Sequence, residues 1–171
     1  VLKFIDNKNI IIGDRYILIE FDFNFLPKNY EKILYKLQLL GKTPIIAHPE
    51  RYKFVQRDYT ILKDWIDKEF IIQISSGSLL KHFGNKSYEL AKKIAYKGNF
   101  HLIGSDAHND RKRNFCLKDS IEHLKKFNKA NYYEMIEKNN NNLLEGKNLS
   151  LMPEIKDKNN FIFRLKRLVN I

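Results

Sequence analysis

Carboxylates and imidazoles stand at the ends of apolar runs in this chain, a placement that suggests chemistry before any fold is considered. The run Tyr16-Ile-Leu-Ile stops at Glu20, and Thr43-Pro-Ile-Ile-Ala stops at His48. Ile71-Ile-Gln-Ile leads into Ser75 and Ser76, and His101-Leu-Ile-Gly-Ser leads into Asp106 and His108. Mixed carboxylate and imidazole donors suit Mn, Fe or Zn better than Mg or Ca, which favour all-oxygen shells. Glu20, His48, Asp106 and His108 are thus the donor types of a divalent-metal hydrolase. Arg51 follows in Ala47-His-Pro-Glu-Arg-Tyr52, and Arg111-Lys-Arg113 follows His108. A guanidinium is a planar, permanently charged fork matched to phosphate oxygens. Each residue also has a plain structural reading. His48 fits a core imidazole, Arg51 a partner of Glu50 or another carboxylate, Glu20 a bridge to Arg15 or a buried Lys, and residues 111–113 a solvated loop. Ser75, Ser76 and Ser78 lack a Gly-x-Ser-x-Gly frame, so they read as positioning or turn-capping hydroxyls rather than nucleophiles.

Short, continuous apolar runs are the mark of buried parallel strands. They begin near Tyr16, Thr43, Phe70 and Phe100, spaced widely enough for a crossover helix between neighbours. Helical spacing fills the gaps. Ile33, Leu34, Leu37 and Leu40 mark a helix over Lys28–Leu40, stopped by Gly41. Ile61, Leu62, Trp65 and Ile66 mark one over Asp58–Phe70, and Leu90, Ala91 and Ile94 one over Lys86–Lys97. Leu117, Ile121 and Leu124 mark a fourth over Phe115–Phe127, and a fifth is expected over Asn131–Lys138. The fold class is therefore α/β. Ligands and catalytic groups of such folds gather at the carboxyl ends of the strands, which puts Glu20, His48, Asp106 and His108 on one rim. Pro49 is expected to hold His48 extended, and Glu20, set in an apolar strand, to have a cationic or metal partner. Four βα units are too few for a closed parallel barrel, which takes about eight strands, and an open sheet of four leaves both edges bare. The chain then reads as a small open sandwich or as the C-terminal part of a larger barrel. The missing initiator Met favours the second.

At 171 residues and 20.4 kDa the chain suits one domain. No apolar stretch approaches the ~18 residues of a membrane span, and the N-terminus has no signal-peptide pattern. The single Cys116 excludes an intramolecular disulfide and fits a reducing compartment, so a cytoplasmic location is expected. The net charge of +11 could mark a polyanionic partner. It could equally reflect an AT-rich coding bias towards Lys, Asn and Ile, the reading preferred here. No aromatic signature or Cys/His finger spacing points to specific nucleic-acid binding. Asn139–Asn142 reads as the opening of a polar stretch, and Pro153 with residues 156–160 as a linker or tail. Phe161–Ile171 is basic, with apolar residues at helical intervals. Packing on its own domain or on a twin subunit is preferred over a membrane-surface helix or a docking helix. Residues 1–145 thus read as a barrel domain and 146–171 as a basic tail with a short amphipathic helix.

Taken in order, Arg15-Tyr-Ile-Leu-Ile-Glu-Phe21, Pro44-Ile-Ile-Ala-His-Pro-Glu-Arg-Tyr52, Gln73-Ile-Ser-Ser-Gly77 and Gly104-Ser-Asp-Ala-His-Asn109 resemble a known family. It is the bacterial capsule-biosynthesis tyrosine-protein phosphatases, relatives of histidinol phosphatase in the polymerase-and-histidinol-phosphatase (PHP) superfamily. The resemblance spans about Ile10 to Leu144. It implies a distorted (βα)7 barrel of parallel strands with outer helices, of which this chain would hold the C-terminal four βα units. It also implies a trinuclear divalent-metal site, usually Mn-activated with Fe or Zn as alternatives, and a metal-bound hydroxide that attacks the phosphorus of phosphotyrosine. The implied partner is the phosphotyrosine tail of a bacterial membrane tyrosine autokinase that controls polysaccharide export. A homo-oligomer is left open. Carried over by position, Glu20, His48, Asp106 and His108 match metal ligands, and Arg51 and Arg113 match phosphate-holding arginines. The family's first strand, with an Asp-x-His-x-His motif, and further His and Glu ligands have no counterpart before Arg15. The chain is therefore expected to be a C-terminal portion with an incomplete metal set and no activity by itself. Two alternatives remain: a PHP phosphoesterase for a small substrate such as histidinol phosphate, and a non-catalytic phosphate-binding remnant.

Overall fold

Isoleucine-rich runs fill both faces of a strand with apolar groups, and such strands are stable only in the middle of a layered fold. The computed structural model describes residues 10–108, 115–127 and 132–154. Five strands form one curled sheet in sequence order: β1 (Ile11–Ile12), β2 (Tyr16–Ile19), β3 (Thr43–Ala47), β4 (Ile71–Ser75) and β5 (Leu102–Gly104). β2 to β5 run parallel, as the sequence predicts, while β1 folds back antiparallel on β2. Register sets Ile19 beside Ile46, Ala47 beside Gln73, and Ser75 beside Gly104. Glu20, His48 and Ser76 follow directly on these strand ends, Asp106 comes two residues after Gly104, and they share one rim.

The helices are α1 (Tyr30–Leu39), α2 (Lys53–Arg57), α3 (Thr60–Asp67), α4 (Ser76–Leu79), α5 (Asn85–Tyr96), α6 (Leu117–Phe127) and α7 (Tyr132–Leu144). Ile17, Ile19, Ile46, Ile72, Ile74 and Ile103 bury one face of the sheet against Leu34, Leu37, Leu62, Trp65, Ala91 and Ile94. On the opposite face Tyr16, Ile45, Ile71 and Leu102 form a smaller cluster closed by Leu143 and Leu149. The strand period of two distributes the residues between these two cores.

Residues after Lys138 depart from the sequence expectation. Asn139–Asn142 is not the start of a polar stretch but continues α7. Asn139 is buried at 2% exposure and uses both ends of its amide: Nδ2 donates to His101 O (2.8 Å) and Ser150 O (2.7 Å), and Oδ1 accepts the Ser150 N–H (3.1 Å). Composition alone misleads here because this amide satisfies backbone groups of the sheet edge instead of water. Beyond α7 the chain stays on the domain. Gly13 and Gly146, both with positive φ, lie back to back, so close that a Cβ on either would overlap the other's backbone. Lys147 O accepts from the Tyr16 hydroxyl (2.6 Å), Asn148 Oδ1 from Arg15 Nη1 (2.6 Å), and Phe100 O from the Met152 N–H (3.0 Å). Residues 147–152 thus strap the foot of β2 to the foot of β5. Arg113 and the basic run 161–171 lie outside the described residues. Among the described residues no helix is long and apolar enough to cross a membrane.

Asn139→Ala removes three hydrogen bonds and strands two carbonyl oxygens, which is expected to cost about 2–4 kcal/mol. Exposed Asn141→Ala should stay within about 0.5 kcal/mol. Urea unfolding of the two variants checks the difference.

Candidate active site

β3 ends where the His48 N–H donates to Gln73 O (2.7 Å), the last rung between β3 and β4. His48 then takes a left-handed backbone (φ 32, ψ 56), not the extended one expected before Pro49. The reversal opens a single 3-10 turn, Pro49–Arg51, closed by the Arg51 N–H on His48 O (3.0 Å). Local preference is overridden by Glu50, whose side chain is turned inward beneath the rim. Asp106 is left-handed too (φ 50). Such conformations cost roughly 1–3 kcal/mol each and persist where the surroundings over-determine them.

Glu50 has no exposure to solvent. Its Oε1 accepts the Ser75 N–H (3.0 Å), and its carbonyl accepts Gln56 Nε2 (2.8 Å). Burial pushes the Glu50 carboxyl up to about 7, with Ser78 and the Ser75 amide drawing it partly back. Tyr52, also fully buried, accepts the Phe21 N–H on its hydroxyl (3.0 Å) within a cluster of Phe21, Phe23, Phe54 and Trp65 rings. The Lys53 N–H donates to Phe23 O (2.8 Å). The segment after β2 is thereby fixed against the turn after β3.

The rim charges fall into two pairs. Glu20 Oε1 lies 3.3 Å from His48 Nε2. Its side chain is 58% exposed, and its neighbour is this imidazole rather than the cation expected from the sequence; Arg15 is instead engaged with Thr43 and Asn148. His48 is buried, and its pKa is lowered chiefly by burial and next by Arg51, against the opposite pull of Glu20 and Asp106. The imidazole is therefore held neutral, the form that donates a lone pair to a metal. Arg51 Nη1 bonds Asp106 Oδ2 at 2.6 Å, the two side chains only 14% and 17% exposed. Its guanidinium lies 4.6 Å from the Phe23 ring centroid and 4.2 Å from that of Phe83. His108 Nδ1 is 3.0 Å from the Asp106 carbonyl oxygen and 3.7 Å from Oδ1, with the ring more than half exposed. Arg113 is outside the described residues.

Carboxylate facing neutral imidazole suits a divalent cation, and His48 Nδ1, buried without a hydrogen-bond partner among the described residues, leaves Nε2 as the atom turned to the rim. Among the described residues no three His, Cys, Asp or Glu side chains come together as one site. The donors stand as Glu20–His48 and Asp106–His108, with Arg51 acting on both pairs. Ser76 Oγ meets buried Cys116 Sγ at 3.2 Å, joining α4 to the residue before α6. Sequence reasoning did not single out Glu50, Phe23 or Phe83. Gly77 offers one trace of Phe83, since a Cβ there would lie 2.7 Å from the Phe83 ring, yet no local pattern links either residue to Arg51.

Glu50 carries a testable sign. Its folded pKa is about 7 against an ordinary 4.5, so the folded state holds the proton more tightly than the unfolded one. The associated stability is full below 4.5 and is lost as pH rises through 7. Between these limits the wild type should lose roughly 3 kcal/mol relative to Glu50→Gln. Urea unfolding of both proteins in chelator across that range measures it; parallel pH profiles would contradict the assignment.

The family model for capsular polysaccharide synthesis proteins of the CpsB/CapC type matches residues 3–145. The chain is 38% identical over 112 residues to tyrosine-protein phosphatase YwqE of Bacillus subtilis (strain 168), covering 66% of this chain and 44% of YwqE. It is 40% identical over 139 residues to CapC of Staphylococcus aureus, covering 80% of this chain and 53% of CapC. The fold superposes with a TM-score of 0.80 and 30% identity on the crystal structures of YwqE from Bacillus subtilis and CpsB from Streptococcus pneumoniae, described as metal-dependent tyrosine phosphatases. That superposition covers 92% of this chain and 65% of the other. The chain spans about half the length of the curated relatives it matches. With the family model matched over residues 3–145 and the curled, mostly parallel sheet superposed over 92% of the chain, the chain belongs to the CpsB/CapC family of capsular polysaccharide synthesis proteins.

Proposed function

We propose that this chain serves metal-dependent hydrolysis of phosphotyrosine in capsular polysaccharide synthesis. Its four parallel strands are then four βα units of a distorted (βα)7 barrel of PHP type. Glu20, His48, Asp106 and His108 hold divalent metal, with Mn as the first choice, and Arg51 and Arg113 hold the phosphate. The substrate is the phosphotyrosine tail of a bacterial tyrosine autokinase, met on the cytoplasmic side.

The observation that carries the reading is the meeting of Glu20, His48, Arg51 and Asp106 on one rim, three of them following different strands and Arg51 on the turn after β3. When bound, a divalent metal lowers the pKa of water and draws negative charge off a leaving oxygen. The chain's own residues supply the rest. His48, neutral through burial, offers its lone pair without first releasing a proton. Arg51 is immobilised by two rings and one carboxylate, so its remaining N–H donors are oriented before a phosphate arrives. An oriented donor loses little free energy to reorganisation during the reaction. No cysteine is required; Cys116 is buried, with its Sγ against the Ser76 hydroxyl.

With the family's upstream metal-ligand strands joined to the chain, hydrolysis of p-nitrophenyl phosphate and of a phosphotyrosine peptide should depend on added Mn and vanish on chelation. Arg51→Ala should lower kcat/KM by roughly a hundredfold to a thousandfold, and His48→Ala should weaken Mn binding in titration calorimetry. Turnover that persists in chelator would overturn the reading. A preference for small phosphomonoesters over the peptide would redirect it to a small substrate.

A further inference from the structure

A cavity of about 450 Å³ opens in the outer helical layer between α2 and α5, and the proposed reaction makes no use of it. Its floor is apolar, formed by buried Val55 and Leu90. Its walls are cationic. Lys53 and Arg57 stand one helical turn apart on α2, and Lys86 and Lys93 stand two turns apart on α5. All four are exposed, and none forms an ion pair among the described residues, unlike Lys68 or Lys92. The one carboxylate of the lining, Glu89, is already engaged by Lys92 at 3.6 Å. Cations at helical spacing repel one another, and an anion between the two rows relieves that repulsion.

Two details select the kind of anion. The Lys93 ammonium lies 4.1 Å from the centroid of the Tyr59 ring, over the face on which a nucleobase would stack. The Tyr59 hydroxyl is held in turn by the Asn99 amide (3.0 Å). A single strand of nucleic acid therefore finds charge but no free aromatic platform. An apolar floor between two short cationic rows suits an extended peptide, in which successive side chains point to opposite sides and every second one, about 7 Å further on, returns to the same side. The rows themselves are about 6 Å and 11 Å long. Carboxylates a few residues apart can reach both, while intervening apolar side chains settle on Val55 and Leu90.

We propose that this groove binds an acidic segment of a polypeptide partner. Gln56, in the groove wall, bonds the Glu50 carbonyl (2.8 Å) in the turn that also carries Arg51. On the phosphatase reading the segment is the acidic flank of a phosphorylated stretch, received beside the rim. The binding itself requires neither metal nor turnover, so it stands or fails separately from catalysis.

The test is fluorescence anisotropy of a short labelled peptide alternating Glu and Val, free of phosphate, titrated with the chain in chelator. Arg57→Glu combined with Lys93→Glu should weaken binding by roughly tenfold or more. Lys32→Glu with Lys36→Glu, an equal charge change on α1, should stay within about twofold. Equal weakening by both pairs would mean diffuse attraction to a basic chain and would overturn the proposal, as would no effect of the first pair. Tighter binding of a single-stranded DNA oligonucleotide through the same residues would overturn it in favour of nucleic acid. Thermal melting establishes that each variant folds; Arg57→Gln with Lys93→Gln replaces the first pair if reversal unfolds it.

Discussion

A carboxyl group sealed from solvent holds together the part of the molecule on which the rim depends. Glu50 reaches from the turn after β3 to the backbone amide of Ser75 at the end of β4, while the His48 amide reaches Gln73 on the same strand. These two bonds clamp the turn from above and below. The left-handed backbone of His48, the direction of Arg51 and the inward placement of Tyr52 all follow from that clamp. An unpaired charge would be ruinous at such a position. The raised pKa of Glu50 shows how the protein avoids it, by letting the group carry its proton near neutrality.

Arg51 belongs to a different balance. Between Phe23 and Phe83 it exchanges part of its hydration for ring faces, and in Asp106 it finds a counter-charge that is itself poorly hydrated. A pair of this kind contributes modest net stability but strong orientation. The same guanidinium acts on His48 through its charge, so the protonation of the imidazole and the placement of the guanidinium fork are coupled in one small volume.

The strands and their polar ends were legible because a buried parallel strand leaves an uninterrupted apolar run, and Ile45-Ile46 and Ile71-Ile72 leave no competing period. Four of the helices, α1, α3, α5 and α6, followed from apolar spacing within a few residues, and the start of α7 was legible but not its end. What stayed hidden depends on partners distant in sequence. The reversal at His48 needs Ser75, and the rings around Arg51 come from positions 23 and 83. Helix α7 runs through four asparagines, poor helix formers whose placement is decided by what Asn139 meets across the sheet edge. The carboxylate and imidazole pairs follow from the strand-end rule, which carries no side-chain direction and gives no hint that Arg51 would occupy an oxygen of Asp106.

The strap over residues 147–152 joins the feet of β2 and β5, the strands whose opposite ends lead to Glu20 and Asp106. The strap therefore ties together the two parallel strands that stand furthest apart in the row β2 to β5, and does so at the end of the sheet away from the rim. Glu20 and Asp106 are held on strands whose spacing is secured by backbone and side-chain groups remote from both carboxylates.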